Sequence, residues 1–397
     1  MRAAVLGHPI AHSLSPVLHN TAYQALGLAR RTYSSSCGPA EAQGPDSETE
    51  GWTYGAIDVA PVEIEYVWSS EDPETGERWA FPQPPKGFSE LLDQTLVDSN
   101  EWAGFSLTMP LKNLVVPWLR TVIQSDAATV GIDPMVHITG SANTLVKNCT
   151  TFPITTRETA QLPANAHWPF RDLEPVRPEI SAFNTDVYGI VAALREVIRH
   201  GPIESIAIIG TGATACSAIA AARQLGATTV VAYGRRHSFT DSLYETANLL
   251  GYQRYRGFQS RFLDEAPAEL SEYDAVISTI PPHAADPLAA QLIAAALPSA
   301  PEGANTVAKL RESPEVEAHR SAPPLVETRG LFGTLLDVVY DPSPTELMAT
   351  WSVLGGAVVG GERMLLHQAA KQVELMTGQP APLAAMEAAL NDALAIS

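Results

Sequence analysis

The stretch SIAIIGTGATACSAIAAARQLGATTVVAYGRR, Ser205 to Arg236, decides the fold. A short β-branched run, Ile206 to Ile209, enters a glycine turn. An Ala-rich helix follows and stops at Gly226, and a second strand runs from Thr228 to Tyr233. This is a βαβ unit. Gly210 permits the tight turn, Gly212 and Ala213 let backbone N–H groups approach a pyrophosphate, and Ala215 stands where helix and strand pack closely. A dinucleotide is therefore the expected ligand. Its second strand does not end in the acid that would accept a bond from a ribose 2′-hydroxyl. It ends in Gly234, Arg235 and Arg236, and two guanidiniums suit a 2′-phosphate, which points to NADP.

Outward from this unit, DAVISTI (274–280) and LLDVV (335–339) predict further strands of a parallel sheet. From Gly361 the chain is helical, with Leu365, Ala369, Val373 and Met376 spaced to bury one stripe and Gln368 at its edge. At the other end, residues 3–7 form a short strand candidate that leads into SPVLHNTAYQALGL. There Ser15 is placed to cap a helix, Pro16 opens it and Gly27 closes it. Segments 34–54, 67–88, 148–180 and 299–327 are rich in Ser, Pro, Gly and Glu or otherwise polar, and are expected to be surface insertions.

The bulk properties narrow the function. A chain of 397 residues with 45% hydrophobic and 17% charged residues supports two domains. A formal net charge of -19 opposes nucleic acid or an anionic membrane as a partner. Cys37, Cys149 and Cys216 lack the spacing of a disulfide framework or a zinc site, and no metal is expected. His8 and His12 are separated by Pro9, which breaks the helix needed to aim both at one ion. With no leader or spanning run in the sequence, the expected compartment is the cytoplasm.

The first half sets hydroxyls and amides among apolar residues: SLS (13–15), SLTMPLK (106–112), ANTL (142–145) and FNTD (183–186). Buried polar groups need partners, and a polar small molecule would supply them. In this order, with GHPIAHSLSPVLHN before them and GTGATA and MLLHQA after them, these motifs resemble the shikimate dehydrogenase family. The resemblance implies an α/β protein of two domains around a cleft, an N-terminal substrate domain (1–185, completed by the helices of 361–397) and a Rossmann-like NADP-binding domain with a parallel sheet (186–360). It implies reversible NADPH-dependent reduction of 3-dehydroshikimate to shikimate by a monomer or homodimer. Position by position, Ser13 and Ser15 would hold the substrate carboxylate, Thr108, Asn143 and Gln368 would bond ring hydroxyls, and Tyr340 and Gly361 would close the site. Lys112 and Asp186 would form the catalytic pair. From the residues alone, an ammonium suits this role because hydride arriving at a ketone builds charge on oxygen that a nearby proton donor stabilises.

The sequence departs from the family pattern at Ser106, where asparagine is usual, at Ala142, where valine is usual, and at Arg236, where threonine is common. The alternatives are a dual quinate/shikimate dehydrogenase and a catalytically silent NADP-binding relative. Threonine in place of Ser15 and an acid at the cofactor strand would favour quinate, and neither is present.

Overall fold

The computed structural model describes residues 1–31, 49–59, 66–68, 80–82, 85–147, 179–198, 203–235, 241–253, 257–296 and 332–396. The chain divides into two compact units, Met1–Val136 with Ser141–Thr185 and Ala369–Ser397, and His137–Gly140 with Asp186–Gln368.

In the first unit, β1 (Arg2–Gly7) starts a six-stranded mixed sheet. Two small antiparallel pairs stand apart from it, β2 (Ala29–Arg31) with β3 (Thr49–Gly51) and β5 (Tyr66–Trp68) with β6 (Ala80–Pro82). The main sheet continues with β4 (Thr53–Asp58), β7 (Trp102–Leu107), β8 (Thr129–Ile132), β9 (Thr144–Lys147) and β10 (Glu179–Phe183), in the order β4-β1-β7-β9-β10-β8. β1 runs parallel to β4 and β7, and β10 parallel to β8. β9 is antiparallel to both of its neighbours. Its N-terminal end therefore lies beside the C-terminal ends of β7 and β10. Leu6, Phe105 and Leu145 pack with Leu111, Val115, Trp118 and Leu119 of the helix Leu111–Ser125, and with Phe88 and Leu92 of the helix Lys86–Leu92. Each such side chain taken from water contributes roughly 1.5–3 kcal/mol, and Trp118 keeps its indole N–H bonded to Asp93 at 2.9 Å.

The second unit holds β11 (Ser205–Ile209), β12 (Thr229–Gly234), β13 (Phe258–Phe262), β14 (Ala275–Ser278), β15 (Thr334–Asp337) and β16 (Ala357–Val359). They form a wholly parallel sheet in the order β13-β12-β11-β14-β15-β16. Counted within the unit this is 3-2-1-4-5-6, the order of a dinucleotide-binding domain. The helix Ala213–Leu225 joins β11 to β12 and ends at Gly226, whose φ of +96° suits glycine at that position. Ile206–Ile209 and Ala275–Ser278 are buried throughout, which explains their continuous apolar runs.

Several expectations are corrected. Ser15 does not cap the first helix. It is the first residue of Ser15–Ala25, the cap position is Leu14, and no side chain satisfies that end. The Ser15 N–H is instead directed at Ser13 Oγ, 3.4 Å away. Residues 49–54 are not an insertion, because β3 and the start of β4 occupy them. Only Tyr54 of β4 is buried, so this edge strand reads as polar surface. Likewise β6 and the start of the helix Lys86–Leu92 lie within 67–88, and 179–180 open β10. The other residues of the four segments fall almost wholly outside the described residues, as do Cys37, Cys149 and Arg236. β14 is shorter than 274–280. Asp274 turns its carboxylate onto the N–H groups of Glu204 and Ser205, and Thr279 leaves the strand with its hydroxyl bonded to Ile209 O.

Candidate functional site

In the first unit, predicted substrate residues lie at one end of the strands of the mixed sheet, after β1 and β7 and before β9. The segment after β1 carries Ser13 and Ser15, both largely shielded, with Ser13 N–H bonded to Ile10 O at 3.0 Å. Thr108 follows β7 directly, its N–H bonded to Leu6 O. Gly7 is required beside it, because a Cβ there would meet Thr108 Cγ2 at 2.1 Å. The helix Leu111–Ser125 begins three residues after Thr108 and places half-buried Lys112 in its first turn. Lys112 O accepts the N–H of Ala142, so the lysine backbone is tied to the segment that carries Asn143.

Asn143 is 1% exposed and sits between two strand ends, with its N–H on Phe183 O (3.0 Å) and its C=O receiving Leu107 N–H (2.7 Å). Its side-chain Oδ1 accepts the Thr185 N–H at 2.8 Å, the Thr185 hydroxyl at 3.1 Å and the Thr144 hydroxyl at 2.8 Å. A side chain from another element thus satisfies an orphan N–H at the start of the helix Thr185–Val197. Asp186 is the next residue and is 1% exposed. In an open α/β sheet, ligand-binding groups concentrate at such carboxyl ends.

A buried polar network that was not singled out in the sequence supports Asn143. Gln372 is 2% exposed. It donates from Nε2 to Thr144 Oγ1 at 3.0 Å, and its Oε1 accepts the Ser106 hydroxyl at 2.9 Å and faces His19 Nε2 at 3.2 Å. Tyr54 donates to Ser106 at 2.6 Å and stacks on His19 with ring centroids 3.9 Å apart. Burial drives the His19 imidazole down to about 3, against the opposing pull of its bond to Gln372, so it is neutral at ordinary pH. Burial likewise raises the Tyr54 phenol. Ser106, which departs from the family pattern, is thus an integral member of this network. The available signals were the hydroxyls inside SLTMPLK, ANTL and FNTD, and a second glutamine one helical turn beyond Gln368.

In the second unit, Gly210 has φ +121°, and a Cβ on it would lie 2.3 Å from Thr279 Oγ1. Gly212 caps the helix Ala213–Leu225 with no side-chain bond, and a Cβ on it would meet nothing within 4 Å. Ala215 is fully buried and Ala213 partly so. A glycine turn with open space beside it at the N-terminus of a helix fits a pyrophosphate. Arg235 is exposed directly after β12. Tyr340 follows β15 and is largely buried, which raises its phenol. Gly361 packs on the same segment, where a Cβ would lie 2.2 Å from Val338 O. Gln368 lies on the helix Gly361–Thr377, beside Gly189. That helix is fastened to Thr185–Val197 by Glu196, which accepts Arg363 Nε and His367 Nε2, each at 2.7 Å.

Among the described residues no group of three or more His, Cys, Asp or Glu could hold a metal ion. His8 pairs with Asp58 at 2.7 Å on the surface. No helix among the described residues is long and apolar enough to cross a membrane.

Comparison with known proteins agrees with this arrangement. Residues 361–390 match the model of the shikimate 5'-dehydrogenase C-terminal domain. The chain is 23% identical over 388 residues to shikimate dehydrogenase (NADP(+)) of Microcystis aeruginosa, covering 97% of this chain and 94% of that one. It is 25% identical over 392 residues to the enzyme of the same name from Geobacter sp., covering 98% and 94%. Among solved structures, shikimate dehydrogenase of Mycobacterium tuberculosis aligns with TM-score 0.61 and 25% identity over 98% of this chain and 99% of that one. Shikimate 5-dehydrogenase of Mycobacterium fortuitum gives 0.58 and 27% over 98% and 97%. A quinate dehydrogenase from Corynebacterium glutamicum shares the fold at 18% identity and TM-score 0.59, over 99% of each chain. With near-complete coverage on both sides, the chain is similar over nearly its whole length to shikimate dehydrogenases, and its second unit has a sheet order suited to a dinucleotide.

Proposed function

We propose that this protein is an NADP-dependent shikimate dehydrogenase that interconverts 3-dehydroshikimate and shikimate. The observation that carries the reading is that Ser13, Ser15, Thr108, Lys112 and Asn143 all lie at one end of the strands of the first sheet, after β1 and β7 and before β9. NADP is the cofactor that fits. The open N–H groups after Gly212 receive the pyrophosphate, Arg235 pairs with the 2′-phosphate, and Arg236 assists it.

In this reading the hydroxyls of Ser13 and Ser15 bind the substrate carboxylate. Thr108, Asn143 and Gln368 fix the ring through its hydroxyls, with Tyr340 and Gly361 as further substrate contacts. Lys112 gives its ammonium proton to the oxygen that becomes the alcohol, and takes it back in the reverse direction. Asp186 is the second residue of the proton-handling pair. The bound nicotinamide supplies or accepts the hydride. A proton donor fixed where charge develops lowers the barrier because it needs no reorganisation during the reaction.

The test is NADPH formation from shikimate, compared with quinate and with NAD in place of NADP. Lys112→Ala should lower kcat by about 10²-fold or more, the scale of a lost general acid, while shikimate still binds. Unchanged turnover in that variant would refute the assignment of Lys112, and a higher kcat/KM for quinate with NAD would refute the assignment of substrate and cofactor.

A further inference from the structure

We propose that Gln372 is a positioning residue which, through Thr144, orients the Asn143 amide so that it meets a non-reacting ring hydroxyl of the substrate as a hydrogen-bond donor. The inference rests on the function proposed above and adds a residue outside the motifs that suggested it.

The bonds of the buried network share a consistent direction. Tyr54 gives its hydrogen to Ser106, and Ser106 gives its own to Gln372 Oε1. His19 is neutral and carries one ring hydrogen. With Nε2 facing Gln372 Oε1, that hydrogen belongs on Nε2, and Nδ1 accepts from Tyr23 Oη at 3.4 Å. Gln372 therefore points its oxygen at two donors and its amino group at Thr144 Oγ1. Thr144 Oγ1 accepts there, and its own single hydrogen has Asn143 Oδ1 as the nearer acceptor at 2.8 Å, with the Thr185 hydroxyl at 3.3 Å. The Thr185 N–H at 2.8 Å and hydroxyl at 3.1 Å approach the same oxygen, and the N–H by itself requires an acceptor there. With Oδ1 engaged by this cluster, the other group of the Asn143 amide is its amino end, a donor.

The opposite orientation of Gln372 is disfavoured by its neighbours when the His19 hydrogen is on Nε2. It would set an amino group against the His19 N–H and the Ser106 hydroxyl, and would draw the Thr144 hydrogen away from Asn143. In a buried site such unpaired groups are costly. Ser106 is part of the same logic. A hydroxyl fits the space between Tyr54 and Gln372 with 2.6 Å and 2.9 Å bonds, so the departure from asparagine at 106 and the glutamine at 372 work together.

The experiment compares wild-type protein with Gln372→Met, Thr144→Val and Thr144→Ser, and measures NADP affinity and thermal midpoint alongside turnover. Two substrates are used: shikimate, and the analogue that keeps the reacting hydroxyl but lacks the other two. Met and Val fill the space without the relay, whereas Ser keeps it. The expected result is a rise in KM for shikimate of about tenfold or more in Gln372→Met and Thr144→Val, the scale of a misdirected hydrogen bond. kcat should change far less, and Thr144→Ser should behave as wild type. Preference for shikimate over the analogue should shrink by the same factor, while NADP affinity is unchanged.

Equal losses on both substrates would mean that the network only supports the fold, and would overturn the inference. An unchanged KM in both relay-breaking variants would overturn it too. Should Gln372→Met fail to fold, the Thr144→Val and Thr144→Ser pair decides alone. Wild-type protein inert toward shikimate would refute the proposed function itself, and the inference with it, before any variant is compared.

Discussion

Acidification tests the buried His19 directly. Its imidazole lies at about 3 in the folded protein against 6.5 when unperturbed, because burial disfavours the cation. Between these values the unfolded chain binds the proton and the folded chain does not, so stability falls as pH falls. The loss accrues at roughly 1.4 kcal/mol per pH unit, or about 2 kcal/mol on going from neutrality to pH 5. Asp133 works in the opposite sense. Burial raises its carboxyl from 3.8 to about 6, although the Met135 N–H and Lys371 both pull it down. Its contribution is present at low pH and lost as pH rises through about 6, so acidification to pH 5 returns roughly 1 kcal/mol. The two groups share the first unit and partly offset each other, leaving about 1 kcal/mol of loss between them.

The perturbation that separates them is His19→Gln, which removes the titration and keeps a donor for Gln372. Urea unfolding of both proteins at pH 7 and pH 5 gives four free energies. The variant should gain about 2 kcal/mol relative to wild type on acidification, whatever its absolute stability at pH 7. Parallel dependence in the two proteins would show that His19 takes up its proton at the same pH folded and unfolded. That result would contradict an imidazole held neutral by burial through this pH range, and would weaken one support for the orientation of Gln372.

Other outcomes follow from the same contacts. Gly104→Ala places a Cβ 2.2 Å from Leu145 O on the adjacent strand, and should cost about 1–3 kcal/mol, read as a lower thermal midpoint. Gly210→Ala combines a φ of +121° with a 2.3 Å approach to Thr279 Oγ1, and should weaken NADPH binding about tenfold or more in a fluorescence titration. Arg235→Ala should raise the KM for NADP by about tenfold, the scale of a charge-assisted bond, and leave that for NAD unchanged. Similar effects on the two cofactors would remove Arg235 from 2′-phosphate recognition.

The two halves of the chain differ in how much they disclose. β11, β12, β14 and β15 are parallel strands buried on both faces, so local sequence is nearly sufficient: apolar runs, a glycine turn with its reason in φ, and a helix stopped by Gly226. In the first unit β4 is an edge strand with Tyr54 as its one buried side chain, and its Thr, Gly and Asp letters match those of a loop. β7, β9 and β10 carry Ser106, Thr144 and Ser181 in a buried sheet, against the usual signal of a core strand. Their hydroxyls were legible as polar motifs, and Lys112, Asn143 and Asp186 stand in the same short polar stretches. The second rank of residues was not legible for a different reason. Ser106 is answered by Gln372, 266 residues away, and Thr144 by the same side chain across 228. A glutamine on a helix looks the same whether it faces water or closes a buried network, and only the tertiary fold decides between them. The orientation of Asn143 is thus written into the sequence at two distant places, and neither has meaning without the other.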